Sequence, residues 1–388
     1  MTTSRGTASP QTDARPNTGE AVIERVSTLE LFFDLVFVFT ATQLTGLLVH
    51  PEGPADYLKV ALVFLTLMWM YDGFTWLTSN VQTGRTGRRL LLFTAMAGFL
   101  TMALAIPDVF GAGGVAYGVG LLVVTAVHAG LFRAAPGRSA QAILGVAPLN
   151  LAAALVVLGA GFVRPPWDWP LWALAVAVFL GNALLRRERA FTISPAHFVE
   201  RHGLVIIVAL GESIVAIGVG AEELPVTGTL VLSAALALAL AASLWWTYFD
   251  PDDRRAEHLL ERADPARRAH MALYGFGFGH FGMIFGIIML AAGLKLIVAH
   301  PWGHLELEGA FNLAAGLAMY LLGDVFHRRV LGIGHGRLRL LGAGLALLTL
   351  PLGLLAGGLA QLTVCVGLMV GLLLTEARLS AAGARPTR

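Results

Sequence analysis

Twelve mostly apolar runs, each long enough to cross a lipid bilayer, are separated by short segments that hold nearly all of the basic residues. A span needs about 20 apolar residues. The runs are Glu30–Val49, Tyr57–Ser79, Leu90–Ile106, Val115–Phe132, Ala140–Phe162, Pro170–Leu185, Glu200–Ala221, Thr227–Phe249, Ala269–Val298, Gly309–Phe326, Leu338–Leu355 and Leu359–Thr375. Proline punctuates the gaps at Pro51, Pro54, Pro107, Pro136, Pro165, Pro166, Pro225, Pro251, Pro265 and Pro301. Only Gly357 and Gly358 divide the last two runs. In lipid every backbone amide must be paired within its own segment or in a closed barrel. Runs of this length therefore predict an all-α, polytopic membrane protein of about twelve transmembrane helices.

The chain is 56% hydrophobic and 13% charged, with a mean hydropathy of +0.71. A soluble chain of that composition could not cover its surface with polar groups. The basic residues carry a topology signal. Of the 27 Lys and Arg residues, all but Lys59, Arg164 and Lys295 fall in the N-terminal tail, the C-terminal tail, the alternate loops between them or, for Arg201 and Arg339, the second position of the run that follows such a loop. Cytoplasmic loops carry such an excess, so both termini are expected in the cytoplasm and the protein in the plasma membrane. The net charge of +2 gives no reason to expect a nucleic-acid partner. The partners expected are the lipid bilayer and a small ion or solute, with a homo-oligomer left open.

Residues 1–28 read as a disordered cytoplasmic tail, rich in Thr, Ser, Pro, Gly and Arg, and 379–388 as a second tail. Between them, 29–190 and 191–378 read as two parallel six-helix halves. Glu30 and Glu200 each open a half, and Trp69-Met70-Tyr71 near the end of the second run is echoed by Trp246-Thr247-Tyr248. Arg88-Arg89 and Arg267-Arg268 precede corresponding runs, and the stretch from His128 to Arg133 is echoed by that from Gly323 to Arg328. An even number of spans per half gives repeats related by an axis along the membrane normal.

Ionisable groups inside spans are costly and are functional candidates. Glu212, in Gly211-Glu212-Ser213, lies about 18 Å beyond Glu200 along a helix, near mid-membrane. Sliding the first half along the second puts Gln43, next to Thr42, opposite Glu212. Glu30 and Asp34 stand four apart and share a helix face. Asp72 follows two aromatic residues in the second run, and His280 is the deepest of the histidines. The candidate ion- or substrate-binding residues are thus Glu212, Asp34, Gln43, Thr42, Glu30, Asp72, Ser213 and His280. Asp324, beside His327-Arg328-Arg329, reads as an interfacial salt-bridge partner. Trp69, Trp76, Trp167, Trp169, Trp245 and Trp246 read as an aromatic belt at the interfaces.

Other chemistry is not indicated. Cys365 is the single cysteine, so neither a disulfide nor a thiolate metal site can form within the chain. Of the histidines, His300 and His304 stand four apart with Pro301 between them, and no metal site is expected. The stretch Gly275-Phe-Gly-Phe-Gly279 lies inside a span and cannot act as a phosphate loop. Neither a nucleophile elbow nor a nucleotide-binding loop is present, so no catalytic residue, cofactor or enzyme activity is expected.

Four segments together resemble one family. They are Val26 to Phe39, including Glu30-Leu-Phe-Phe-Asp34, then His197-Phe-Val-Glu200-Arg201-His202-Gly203, Gly211-Glu212-Ser213-Ile214-Val215, and Tyr320-Leu-Leu-Gly-Asp324-Val-Phe. These resemble the bacterial low temperature requirement protein A family. The resemblance implies an integral membrane protein linked to growth in the cold and assigns no catalytic residue. The first helix is also similar to the Phe-Ser-Asp helix of a family of lysosomal and bacterial potassium channels built from six-helix repeats, with Phe33 in place of the serine. The function expected is a transporter or channel for a small ion or solute that uses intramembrane carboxylates. The alternative is a non-transporting structural or regulatory membrane protein.

Overall fold

The computed structural model describes residues 26–79, 85–133, 138–185, 193–222, 224–250, 252–334 and 336–383. The predicted N-terminal tail and residues 384–388 lie largely or wholly outside them. The described residues form helices joined by short connections. These are α1 (Thr28–Val49), α2 (Pro54–Thr78), α3 (Thr86–Ala105), α4 (Gly114–Arg133), α5 (Arg138–Ala160), α6 (Asp168–Leu185), α7 (Pro195–Gly220), α8 (Gly228–Phe249), α9 (Asp252–Arg262), α10 (Pro265–His270), α11 (Gly279–Ala299), α12 (Leu307–Leu331), α13 (Arg337–Leu347), α14 (Leu350–Ala356) and α15 (Gly358–Gly383). Ten of the described helical spans are long and apolar enough to cross a membrane, and α5 and α6 fill the two other predicted positions. The protein is a polytopic, all-α membrane protein.

Three boundaries differ from the sequence reading. The predicted eleventh span is broken into α13 and α14 around Leu348 and Thr349. Pro351 lacks the amide that an unbroken helix would need there. The predicted ninth span is composite, with a π-helical stretch at Met271–Phe278 between α10 and α11. Finally, α9 stands where only a loop was expected. It is too polar to span, but it buries Ala256 and Leu260 against Phe198, Phe276 and Leu331 and closes the arginine-rich end of the bundle.

The centre of the bundle is α11, buried almost throughout from Gly279 to Leu294. It packs on α12, α7, α1, α8 and α2. Glycines set the α11–α12 approach. A methyl group added at Gly286 would lie 2.6 Å from the Gly316 carbonyl oxygen, and one at Gly323 would lie 2.6 Å from the Met283 amide nitrogen. Without a hydrophobic force between helices in lipid, such small residues give the close packing that holds spans together.

Helices α1 and α7 run parallel, side by side. Glu30 faces His197, Asp34 faces Arg201, and Thr42 faces Glu212. One hydrogen-bonded arrangement occurs twice. The Tyr117 hydroxyl of α4 donates to the Val63 carbonyl of α2 and meets the Thr66 hydroxyl at 2.6 Å. The Tyr320 hydroxyl of α12 donates to the Leu244 carbonyl of α8 and meets the Thr247 hydroxyl at 3.2 Å.

Candidate functional site

The polar groups inside the bundle fall into four places. At the start of α1, the Ser27 side chain and the Glu30 carboxylate close a capping box. The other oxygen of Glu30 lies 3.0 Å from His197 Nε2. One turn further in, the Arg201 guanidinium donates to Asp34 Oδ2 at 2.7 Å and to the Glu30 carbonyl, while the Tyr71 hydroxyl donates to Asp34 Oδ1 at 2.9 Å. Arg201 is 1% exposed, although the loop census counts it as a cytoplasmic charge. Its position is legible afterwards in one pattern: His197 and Arg201 are four apart on α7, as Glu30 and Asp34 are on α1.

Glu212 is buried two turns from the far end of α7. The Thr42 hydroxyl lies 2.5 Å from its carboxylate. Thr42 thus takes the place the repeat alignment gave to Gln43, which is half-buried one position on, about 100° round the helix. Ser213 is buried beside Glu212.

A third group ties α8, α9, α12, α13 and α15 together. Arg339 donates to Asp324 at 2.7 Å, to both oxygens of Glu376 at 3.0 Å and to the Thr247 carbonyl. Arg328 is bonded to Asp252. Asp324 is indeed a salt-bridge partner, but of Arg339 from the next helix rather than of its own neighbours. Arg328 and Arg339, which the census counts as cytoplasmic charges, are buried in this network. A buried charge is tolerable when paired and hydrogen-bonded, and these are.

The fourth place is different in kind. A cavity of about 460 Å³ lies between α2, α4, α5, α6, α10 and the π-helical stretch, lined by Trp69, Asp72, Trp76, Asn150, Asn182 and Tyr274 among others. The Trp69 indole donates to Asn150 Oδ1 at 3.3 Å, and so does the Asn182 amide at 3.2 Å. Trp69 and Trp76, read from the sequence as belt residues, face the bundle interior here. Gly277 of the π-helical stretch faces Asp72, and a methyl group there would lie 3.4 Å from Asp72 Oδ2, in ordinary contact. Neither Glu30, Asp34, Glu212 nor His280 lines this cavity; Asp72 does.

Behind Asp72 stand three buried histidines. His202 Nδ1 donates to the Phe198 carbonyl at 2.9 Å, which leaves Nε2 facing Asp72 Oδ1 at 3.5 Å. The His202 ring lies 5.0 Å from that of His280, and His280 lies 5.2 Å from His327. The Tyr248 hydroxyl meets His280 Nε2 at 2.8 Å, and His327 Nδ1 donates to the Gly275 carbonyl in the π-helical stretch. A π-helical turn leaves carbonyls without the usual helical partner, and such turns are frequent at functional sites. No cluster with metal-ligand geometry occurs among the described residues.

Residues 25–374 match the family described as bacterial low temperature requirement A protein. The chain belongs to this family. It is 29% identical over 326 residues to a protein of Rhizobium meliloti described as uncharacterized, covering 78% of this chain and 76% of that one. The match to the low temperature requirement A family takes in α1 to α14 and most of α15, so the paired carboxylates, the cavity and the histidines all lie within it.

Proposed function

We propose that this member of the low temperature requirement A family is a transporter or channel for a small ion or solute, with Asp72 as the working carboxylate. The observation that carries this reading is the contrast between Asp72 and the other buried carboxylates. Asp34, Asp324, Asp252 and Glu30 are each matched by a cation or an imidazole at hydrogen-bonding distance. Glu212 meets Thr42. Asp72 Oδ1, like Asp168 Oδ1, has no hydrogen-bond partner, but of the two only Asp72 lines a cavity of the size that takes small ligands. A buried polar group without a partner is uncommon and asks for a function. The α1–α7 pairs would then fix the scaffold on which the cavity is held, and Glu212 would belong to that scaffold.

The paired carboxylates also favour a second reading. A bundle locked by Asp34–Arg201 and by the Arg339 network is what a non-transporting structural or regulatory membrane protein would need. Flux into proteoliposomes, measured against a panel of ions and small solutes, separates the two. Transport requires a flux that Asp72→Asn removes; the structural reading requires no flux for any of them.

The same reading places the protein in the plasma membrane with the arginine-rich end in the cytoplasm. It also treats the chain as two parallel six-helix halves. The twice-made Tyr–Thr–carbonyl clamp supports that division. The clamped pairs stand 51 and 73 residues apart, and the additional helix α9 lies within the longer interval.

A further inference from the structure

The cavity's chemistry narrows what could occupy it, on the reading that the cavity is a ligand site. Its polar groups are mostly acceptors. Asp72 Oδ1 and Asn182 Oδ1 have no donor, and both atoms are themselves buried, while the Asp72 side chain as a whole is 19% exposed and lines the cavity. Three of the donors are already used: the Trp69 and Asn182 N–H groups go to Asn150 Oδ1, and His128 Nε2 donates to the Gly73 carbonyl. No lysine or arginine lines the cavity among the described residues. An anion would therefore meet a carboxylate with no cation to oppose it among the described residues. A bare metal cation would need a cage of six or so oxygens, which the aromatic and aliphatic walls do not supply.

Trp69, Trp76 and Tyr274 line the cavity with Asp72. Aromatic faces attract cations, most strongly those that are weakly hydrated. An ammonium head offers three donors and no acceptor, which suits a carboxylate that no lysine or arginine answers among the described residues. The apolar walls suit a hydrocarbon or aryl tail.

The Asp72–His202 contact adds a proton. With Nδ1 donating to the Phe198 carbonyl, a neutral His202 presents a lone pair at Nε2. At 3.5 Å it faces Asp72 Oδ1, also an acceptor when ionised. Two lone pairs repel unless one proton lies between them. His202 is backed by the rings of Phe198, Phe276 and His280, and His280 in turn by Tyr248 and His327. On the cavity side the other titratable groups are His128, His270 and Tyr274. Arg201, next in the chain, is engaged by Asp34.

From this we infer that the cavity binds a primary organic ammonium ion, amine head on Asp72 and apolar tail against Trp69, Trp76 and Tyr274, in exchange for the proton held between Asp72 and His202. The step balances. The ammonium enters with one positive charge, its N–H groups bond Asp72, and the shared proton leaves to water, with no covalent bond made or broken. The cation's charge beside Asp72 opposes that of the proton shared with His202, and this competition is the coupling that antiport requires.

The test is calorimetric titration of the purified full-length protein in detergent with 2-phenylethylammonium, repeated in two buffers of different ionisation enthalpy. The neutral 2-phenylethanol and the anionic 3-phenylpropionate serve as controls. Binding of the ammonium with release of about one proton per ligand is expected, with affinity at least about tenfold above either control. Asp72→Asn should lose the preference and the proton release. Trp76→Leu should weaken binding but keep the release, and Glu212→Gln, outside the cavity, should change neither. If Asp72→Asn fails to fold, Gly277→Val, which crowds Asp72 from the opposite wall, should block binding. Equal affinity for the neutral control, or binding without proton release, overturns the inference. Binding without flux would leave it standing and overturn transport; flux of another solute without ammonium binding would do the reverse.

Discussion

Arg201 of α7 donates to Asp34 of α1 at 2.7 Å, with both side chains almost wholly removed from solvent. Tyr71 holds the second carboxylate oxygen, so the aspartate is fully engaged. Truncating one partner of a buried pair leaves an uncompensated charge and typically costs about 3–5 kcal/mol. Asp34→Ala or Arg201→Ala should therefore lower the thermal midpoint in detergent sharply. Replacing both with leucine should recover much of the loss. If either single variant were as stable as the parent, the pair would not be what joins α1 to α7.

The two clamps provide a second test. Tyr117→Phe and Tyr320→Phe each remove a hydroxyl that serves a threonine and a carbonyl. Hydrogen bonds between membrane helices average about 0.6 kcal/mol and reach about 1.7. Losses in that range are expected for each variant in reversible unfolding. They should be nearly additive in the double variant, because the clamps share no residue. A loss at one tyrosine only would show that the clamps are not equivalent.

Much of the fold was legible in the sequence because bilayer physics leaves few choices for long apolar runs. All twelve predicted positions are helical among the described residues. What periodicity could not show was α9, whose polar composition gives no span signal, and the π-helical stretch, which keeps the same apolar pattern as an α-helix. The candidate carboxylates were legible as costly residues, but their partners were not. Asp34 meets Arg201, and Asp324 meets Arg339. Both arginines carry the same weight as loop residues in a charge census, and only tertiary packing turns them inward. Asn150 and Asn182, at the centre of the cavity wall, gave no signal because uncharged amides are unremarkable in a span. Asp72 was visible, but its partnerless oxygen depends on where α6, α7 and the π-helical stretch fall around it.

Close helix packing gives a third expectation. A methyl group at Gly316 would already lie 2.8 Å from the Gly286 carbonyl oxygen and the Leu290 amide nitrogen. The obstacle is backbone, which cannot swing aside. Gly316→Leu should separate α11 from α12 and abolish the folded, monodisperse protein. Gly130→Leu, with open space at its Cβ, should be tolerated. Equal yields of the two variants would contradict the close approach.

Orientation is tested separately. A reporter placed between α9 and α10, at Ala263, or fused after Arg388, should read cytoplasmic. One placed at Glu222, between α7 and α8, should read external. The reverse pattern would overturn the orientation drawn from the basic loops.

The most direct measurement of the central claim is uptake into proteoliposomes under an imposed proton gradient, with the parent protein, Asp72→Asn and Glu212→Gln compared at equal incorporation. The account expects accumulation by the parent, retention of it in Glu212→Gln, whose carboxylate meets Thr42 away from the cavity lining, and its loss in Asp72→Asn. Loss in Glu212→Gln with retention in Asp72→Asn would contradict it, as would the absence of any flux by the parent.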